Sequence, residues 1–523
     1  MNLLVKIGEI ISDLELPNHL RAVVQLSEGA DIRAGQFVEI RDDKREVIYL
    51  GQIVKPHIFN PYYADRRLVQ ETLNRGDTRS FIPAGDAWTV KTAQVRILGV
   101  IGQGRIDFAG WAPEPGSEVH MVEKARLRDF FGFRDGGLWI GNLHYHEDVK
   151  VELPVEPFFY HMAILGTVGS GKSYAAGVLC EELYEKGLPV VVIDPHGEYR
   201  TLSEPSENDL RSCSVTEYSP PAYHIKGTNV ISLRLDDLTG DDIIELAGLF
   251  GDQQQNLVYL AVRRLKAIGG SYELEDLIST IEDTGTVRKF RRDTIDSVIN
   301  RIRTLEEYGI LGAGFNPNDL VRPNNISVIN LRGTETSAER ILVAAILRRV
   351  FALRKLGKLP KFVCIVEEAH RYAPAGVSTV AKGSLTTIAK EGRKFGAGLV
   401  VVSQSPKDLD PDVLKLCNSR LIFRLDNPLD LSAVRPYLGM LPEELSDMLP
   451  FFPAGRAILS GLMCRVPTIV DIRQRRTRHG GGTAEISAAD IDVSILEARS
   501  IAPRDEIRPP SRIRGTIEEY IPP

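Results

Sequence analysis

His161–Ser173 reads HMAILGTVGSGKS, and this stretch decides the fold. Its last eight residues satisfy G-x-x-x-x-G-K-S/T, with Gly166, Gly171, Lys172 and Ser173 at the fixed positions. The apolar run Met162–Leu165 leads in as a strand, and Tyr174–Lys186 leads out with a helical pattern. Strand, glycine loop and helix in that order make a P-loop. Its glycines let backbone N–H groups approach phosphate oxygens with no Cβ in the way. The following helix turns free N–H groups and a positive dipole end toward the same anion. Gly166, Thr167, Val168, Gly169, Ser170, Gly171, Lys172, Ser173 and Tyr174 are therefore the expected nucleotide cradle. Lys172 is placed to reach the β/γ-phosphates, and the Ser173 hydroxyl to hold Mg²⁺. The chain reads as a binder of nucleoside triphosphates.

Downstream, apolar runs alternate with helical patterns. Val190–Asp194, Val230–Leu235, Ile326–Leu331, Phe362–Val366, Leu399–Ser403, Leu421–Leu425, Ala457–Leu459 and Thr468–Ile472 read as further strands. Continuous Val/Ile/Leu runs of this kind indicate a parallel α/β sheet covered on both faces. From about 236 to 318 no strand pattern is seen, and DDIIELAGLF, NLVYLAVRRLKAI and TIDSVINRIRTLEEYGIL predict an inserted helical subdomain. It carries a basic run of Arg288, Lys289, Arg291 and Arg292, read first as a solvated helix face and second as a DNA or partner contact. Residues 1 to about 140 show short alternating runs (Gln36–Ile40, Val47–Val54, Val95–Ile101, Glu118–Val122) that predict a small β-barrel. Within it, 57–80 predict a helical or looped insertion. After Ile472, QRRTRHGGGT reads as a flexible linker, and the Pro/Arg-rich tail as an arm that stays mobile or crosses another subunit. The expected domains are 1–140 (barrel), 141–472 (ATPase core) and 473–523 (linker and C-terminal arm).

The 523 residues are too many for one core, and 43% hydrophobic with 26% charged residues is ordinary globular composition. No apolar run approaches the ~20 residues of a membrane span, and the acid-bearing N-terminus lacks a signal-peptide pattern. Five scattered cysteines without a C-x-x-C pair point to a reduced, cytoplasmic setting and no zinc site. A net charge of −6 argues against a general nucleic-acid coat but leaves a local basic channel open.

KFVCIVEEAH (361–370) supplies the second half of the site. An apolar strand delivers Glu367 and Glu368 at its carboxyl end, where open α/β sheets place ligands. Successive strand side chains point to opposite faces, so the two acids are expected to divide the work. Glu367 would hold Mg²⁺ through a water, and Glu368 would polarise the attacking water. GLVVVSQSP (398–406) ends in Gln404, placed to sense the γ-phosphate. KEGRKFG (390–396) offers Arg393 as an arginine finger or a solvated helix end. The segment between Arg371 and Lys390, with Lys382 near its middle, reads as a mobile, polymer-gripping loop. DPHGEY (194–199) reads as nucleotide-proximal, with a metal site only weakly indicated.

GTVGSGKS, DPHGEY, the helical insert, IVEEAH, KEGRKFG, VVSQSP and RLIFRLDNP together resemble the HerA family of hexameric DNA translocases, in the FtsK–HerA class of RecA-like P-loop ATPases. The resemblance implies a HAS-barrel-like N-terminal domain, ATP and Mg²⁺ as cofactors, and a homohexamer threading double-stranded DNA. It also implies Glu368 as catalytic carboxylate, Arg393 as a finger given to the next subunit and Gln404 as sensor; Arg371 and Lys382, in the 371–390 segment, are the expected DNA contacts. Family members work with the nuclease NurA in DNA end resection and recombinational repair, and related proteins serve anti-phage defence. Two alternatives stay open: a conjugation-type pump of the same superfamily, and a nucleotide-switched scaffold for a partner nuclease.

Overall fold

The computed structural model describes residues 5–480 apart from 13–16, most of 61–88, 103–104, 208 and 438–445. The first strands are β1 (Lys6–Ile11), β2 (Arg21–Leu26), β3 (Phe37–Asp42), β4 (Val47–Phe59), β5 (Val90–Gly102), β6 (Arg105–Asp107) and β7 (Glu118–Met121). They pair in the order β2-β1-β7-β3-β4-β5, and β2 pairs again with β5. Six antiparallel strands thus close into a barrel, which removes every free edge but the short β6 flap. Ile10, Val24, Val38, Ile40, Tyr49, Ile53 and Val95 alternate inward to fill it. The insertion expected at 57–80 falls mainly outside the described residues, and residues 57–59 belong to β4.

A second, twelve-stranded sheet carries the P-loop. Its strands are β8 (Leu138–Leu143), β9 (His146–Leu153), β10 (Met162–Leu165), β11 (Val190–Asp194), β12 (Val215–Ser219), β13 (Asn229–Val230), β14 (Ile326–Asn330), β15 (Phe362–Val366), β16 (Ala397–Ser403), β17 (Ser419–Ile422), β18 (Arg456–Gly461) and β19 (Thr468–Ile472). The order is β13-β12-β14-β11-β15-β16-β10-β17-β18-β19-β8-β9. The eight strands from β13 to β17 are parallel, and the last four join antiparallel. The hairpin β8–β9, which starts inside the expected barrel range, belongs to this sheet. β12 was not expected: VTEYS is too polar to read as a buried run, yet it pairs β14 from Val215 to Tyr218. Of the strand expected at 230–235 only Val230 falls in β13, followed by an isolated bridge from Leu233 to Leu311.

The helices on this sheet begin with α1 (Lys124–Phe131) and the P-loop helix α2 (Lys172–Glu185). The helical insert follows as expected: α3 (Gly240–Leu246), α4 (Asp252–Ile268), α5 (Leu274–Val287), α6 (Arg292–Arg303) and α7 (Pro317–Leu320). α8 (Thr336–Lys355), α9 (Val380–Phe395), α10 (Pro411–Leu416) and α11 (Pro428–Val434) complete the set among the described residues. None of the described helices is long and apolar enough to cross a membrane.

The expected flexible linker is corrected over residues 473–480. Arg473, Arg475 and Thr477 are buried on α2. Arg473 pairs with Glu181 at 2.8 Å and Glu182 at 2.7 Å, and Arg476 with Glu182 at 3.0 Å. Glu181 also accepts the backbone N–H groups of Arg476 and Thr477 at 3.0 and 2.9 Å. Charges this deeply buried persist only when paired. The basic run is a strap across the P-loop helix.

Candidate active site

β10 is wholly buried between β16 and β17, in register Leu165–Ser403 and Leu165–Ile422. All three strands release their chains at one carboxyl edge, the ligand edge of an open α/β sheet. The P-loop is held from outside by the exit of β17: Thr167 N–H donates to the Arg424 carbonyl at 2.8 Å. Inside the loop, the Ser170 hydroxyl donates to the Thr167 carbonyl at 2.7 Å. Gly171 caps α2 at φ +104°, and a Cβ there would stand 3.0 Å from the Gly455 nitrogen. Both the backbone sign and the close approach exclude a side chain.

Lys172 is buried, and its ammonium donates to the Thr167 carbonyl at 2.9 Å. Burial lowers its pKa, while Glu368, then Glu367 and Glu198, oppose the shift. Both adjacent acids thus act electrostatically on the same ammonium. β15 stops at Val366, and Glu368 takes a left-handed φ of +47° beyond the strand, where the period of two no longer applies. Glu367 is buried and accepts a hydrogen bond from the Tyr199 hydroxyl; burial pushes its pKa up to about 8. Glu368 lies 3.4 Å from His370 Nδ1 and 3.9 Å from His196 Nε2. Its Oε2 is buried and has no hydrogen-bond partner among the described residues. Gln404 stands half-buried one residue past β16, and the preceding Ser403 carbonyl accepts the Gly166 N–H at 3.3 Å. Lys172, Glu367, Glu368, Gln404 and the P-loop thus converge on one edge.

The DPHGEY loop joins them. Asp194 turns inward and accepts the N–H groups of His196, Gly197 and Tyr199 at 3.1, 2.8 and 3.0 Å. Burial pushes its pKa up to about 6. Its carboxylate builds the loop, whereas His196 reaches toward Glu368. Among the described residues no group of three or more His, Cys, Asp or Glu is arranged to hold a metal. Mg²⁺ at a phosphate site needs only one or two protein oxygens. Ser173, the buried Glu367 and the Glu368 oxygen that makes no hydrogen bond among the described residues fit that demand.

Arg393 is elsewhere. It lies exposed on the last turn of α9, which feeds the start of β16, its guanidinium carbon 4.1 Å from the Tyr160 ring centre. β16 is seven residues long, so Arg393 stands roughly 20 Å from the P-loop edge of its own chain.

The family model described as "Helicase HerA, central domain" matches residues 138–350. A "Probable helicase" of Methanocaldococcus jannaschii is 30% identical over 413 residues, covering 74% of this chain and 77% of its own. The chain belongs to the HerA family. The "DNA double-strand break repair helicase HerA" of Sulfolobus acidocaldarius is 28% identical over 485 residues, 89% of this chain and 92% of that one. Among solved structures, VirB4 of Thermoanaerobacter pseudethanolicus is similar at 16% identity and TM-score 0.48, covering 66% of this chain and 98% of that one.

In this HerA-family chain both expected DNA contacts are engaged internally. Arg371 pairs with Glu339 at 2.9 Å, and Lys382 forms an ion pair with Asp410. The gripping loop expected over 371–390 is shorter than read, because α9 begins at Val380 with Thr379 as its cap. The sequence reading missed Tyr199, although it is the last letter of DPHGEY. It also missed the strap, whose Arg475 N–H donates to the Tyr174 hydroxyl at 2.7 Å, one residue from Ser173.

Proposed function

We propose that this protein is an ATP-driven, homohexameric motor that moves along double-stranded DNA, acting with a NurA-like nuclease in processing double-strand breaks. The observation that carries the reading is the separation of Arg393 from its own nucleotide edge. An exposed arginine at the far edge of the sheet completes a phosphate site only if a neighbouring copy presents that site to it, and repetition of such a contact closes a ring. The P-loop amides and Lys172 hold the phosphates. Ser173, and Glu367 through a water, would hold Mg²⁺, which when bound would supply charge neutralisation to the phosphates. Glu368, whose Oε2 makes no hydrogen bond among the described residues, orients and polarises the attacking water, and Gln404 reads the γ-phosphate from the end of β16. The names of the relatives, repair helicases of double-strand breaks, support the choice of DNA as track. We further propose an N-terminal barrel domain, an ATPase core that begins with β8 and takes in the strap up to residue 480, and an arm over 481–523, acting in the cytoplasm.

The test is ATP hydrolysis with and without linear duplex DNA, with particle mass measured in parallel. Stimulation by duplexes of unrelated sequence and a sixfold mass support the motor. Turnover indifferent to DNA would leave the scaffold reading in its place.

A further inference from the structure

At the sheet edge remote from the P-loop, the turn that precedes β10 is packed tightly under the end of α9. Glu156–Tyr160 form a single 3-10 turn with Phe158 buried beneath it. His161 then takes a φ of +68°, and its Nδ1 accepts the Leu399 N–H of β16 at 3.1 Å. The Tyr160 carbonyl accepts the Asn418 N–H at 3.1 Å, which ties the turn to the start of β17. Above it, Gly392 has no room for a side chain. A Cβ would sit 2.4 Å from the Ala397 carbonyl oxygen and 3.1 Å from the His161 ring. The bare Cα lets the last turn of α9 descend onto the 158–161 turn, and the next residue is Arg393. Arg354 fixes the helix end by donating to the Phe395 carbonyl at 2.6 Å and the Leu359 carbonyl at 2.7 Å.

Arg393 makes no ion pair among the described residues; its contact is the face of Tyr160. A guanidinium held by a carboxylate has its donors spent on that partner. Held by an aromatic face, it is fixed in plane while its N–H groups stay free around the rim. That is the arrangement an incoming phosphate needs. We propose that Tyr160 is a positioning residue for ATP hydrolysis, a platform that presents Arg393 to the nucleotide of the neighbouring subunit. The inference rests on the reading of Arg393 as a finger supplied in trans.

The test compares full-length Tyr160→Phe and Tyr160→Leu rings in steady-state hydrolysis. Loss of a partly desolvated cation–π contact should lower kcat roughly 5- to 30-fold in the leucine variant. KM for ATP should stay near wild type, and phenylalanine, which keeps the face, should retain the rate. Tyr160→Leu is then mixed with Glu368→Gln, beside a parallel mixture of Arg393→Ala with Glu368→Gln. If the platform serves the neighbour, hydrolysis per Tyr160→Leu subunit rises in mixed rings, because intact fingers now meet intact sites; that recovery also shows the variant folded. A phenylalanine variant as slow as leucine overturns the proposal. So does recovery in the Arg393 mixture without recovery in the Tyr160 mixture. If the Arg393 mixture also fails to recover, or Arg393→Ala hydrolyses normally, the trans finger itself falls.

Discussion

Replacing Arg473 by methionine tests whether the strap is part of the ATPase core. The side chain is 4% exposed, and it faces Glu181 and Glu182, themselves 2% and 4% exposed. Its Nε donates to the Trp139 carbonyl at 2.8 Å, so one residue ties β8 to the P-loop helix. Breaking a buried ion pair from one side costs about 3–5 kcal/mol, because the orphaned charge stays in low dielectric. Here the carboxylates keep part of their solvation. Glu181 retains the N–H groups of Arg476 and Thr477, and Glu182 retains Arg476 and the Trp139 N–H. The remaining loss is about 2–3 kcal/mol. Spread over a cooperative unit of roughly 340 residues, that lowers the apparent midpoint of thermal unfolding by about 3–4 °C at a fixed scan rate. Arg473→Lys, which keeps the charge but not the fork, should fall between. A methionine variant that melts within about 1 °C of wild type would refute the strap as a stabilising element.

Lys172→Ala should abolish hydrolysis and weaken nucleotide binding, while Glu368→Gln should bind nucleotide and stop turnover; equal phosphate release by wild type and Glu368→Gln would identify the wrong carboxylate. Glu339, pushed up to about 7 by burial, holds a proton in the folded chain between pH 4.5 and 7 that the unfolded chain releases. Stability should therefore fall as pH rises through that window, and Glu339→Gln should flatten this part of a denaturation-versus-pH curve. Arg288, Lys289 and Arg291 are exposed on the α5–α6 turn without ion-pair partners among the described residues. If they meet DNA phosphates, replacing all three by alanine should reduce the slope of log affinity against log salt by about 2–3, read by titrating duplex at several salt concentrations. Lys382→Ala, which breaks the contact with Asp410, should lower basal and DNA-stimulated hydrolysis together; a selective loss of stimulation would return Lys382 to the DNA path.

The nucleotide edge was legible because its signals are local. A glycine at φ +104°, a lysine after it and an apolar strand before it are a contiguous pattern, and the ends of β15 and β16 announce themselves as apolar runs meeting polar residues. What stayed hidden was set by partners far along the chain. Residues 473–480 look like a solvated linker until Glu181 and Glu182, almost 300 positions earlier, turn out to need cations. The trace was present in α2: two adjacent acids in a helix whose residues from Ala175 to Leu183 are all buried. Lys382 looked free for the same reason, with Asp410 its distant partner. The alternation argument for Glu367 and Glu368 reached past the strand, because nothing local states that β15 ends at Val366. β12 escaped because its neighbour β14 supplies the apolar register that VTEYS lacks.

Tyr160 and Gly166 are six residues apart, joined by a four-residue strand locked on both sides. So short a tether has little slack, and whatever displaces the phosphate loop pulls on the arginine's resting place at the other end. In the ring proposed above the linkage would have a sense of rotation: each copy would receive its instruction at one face and pass it on through the other. Firing order would then be a property of chain connectivity, inherited from how close Tyr160 lies to the P-loop, and no separate timing device is needed.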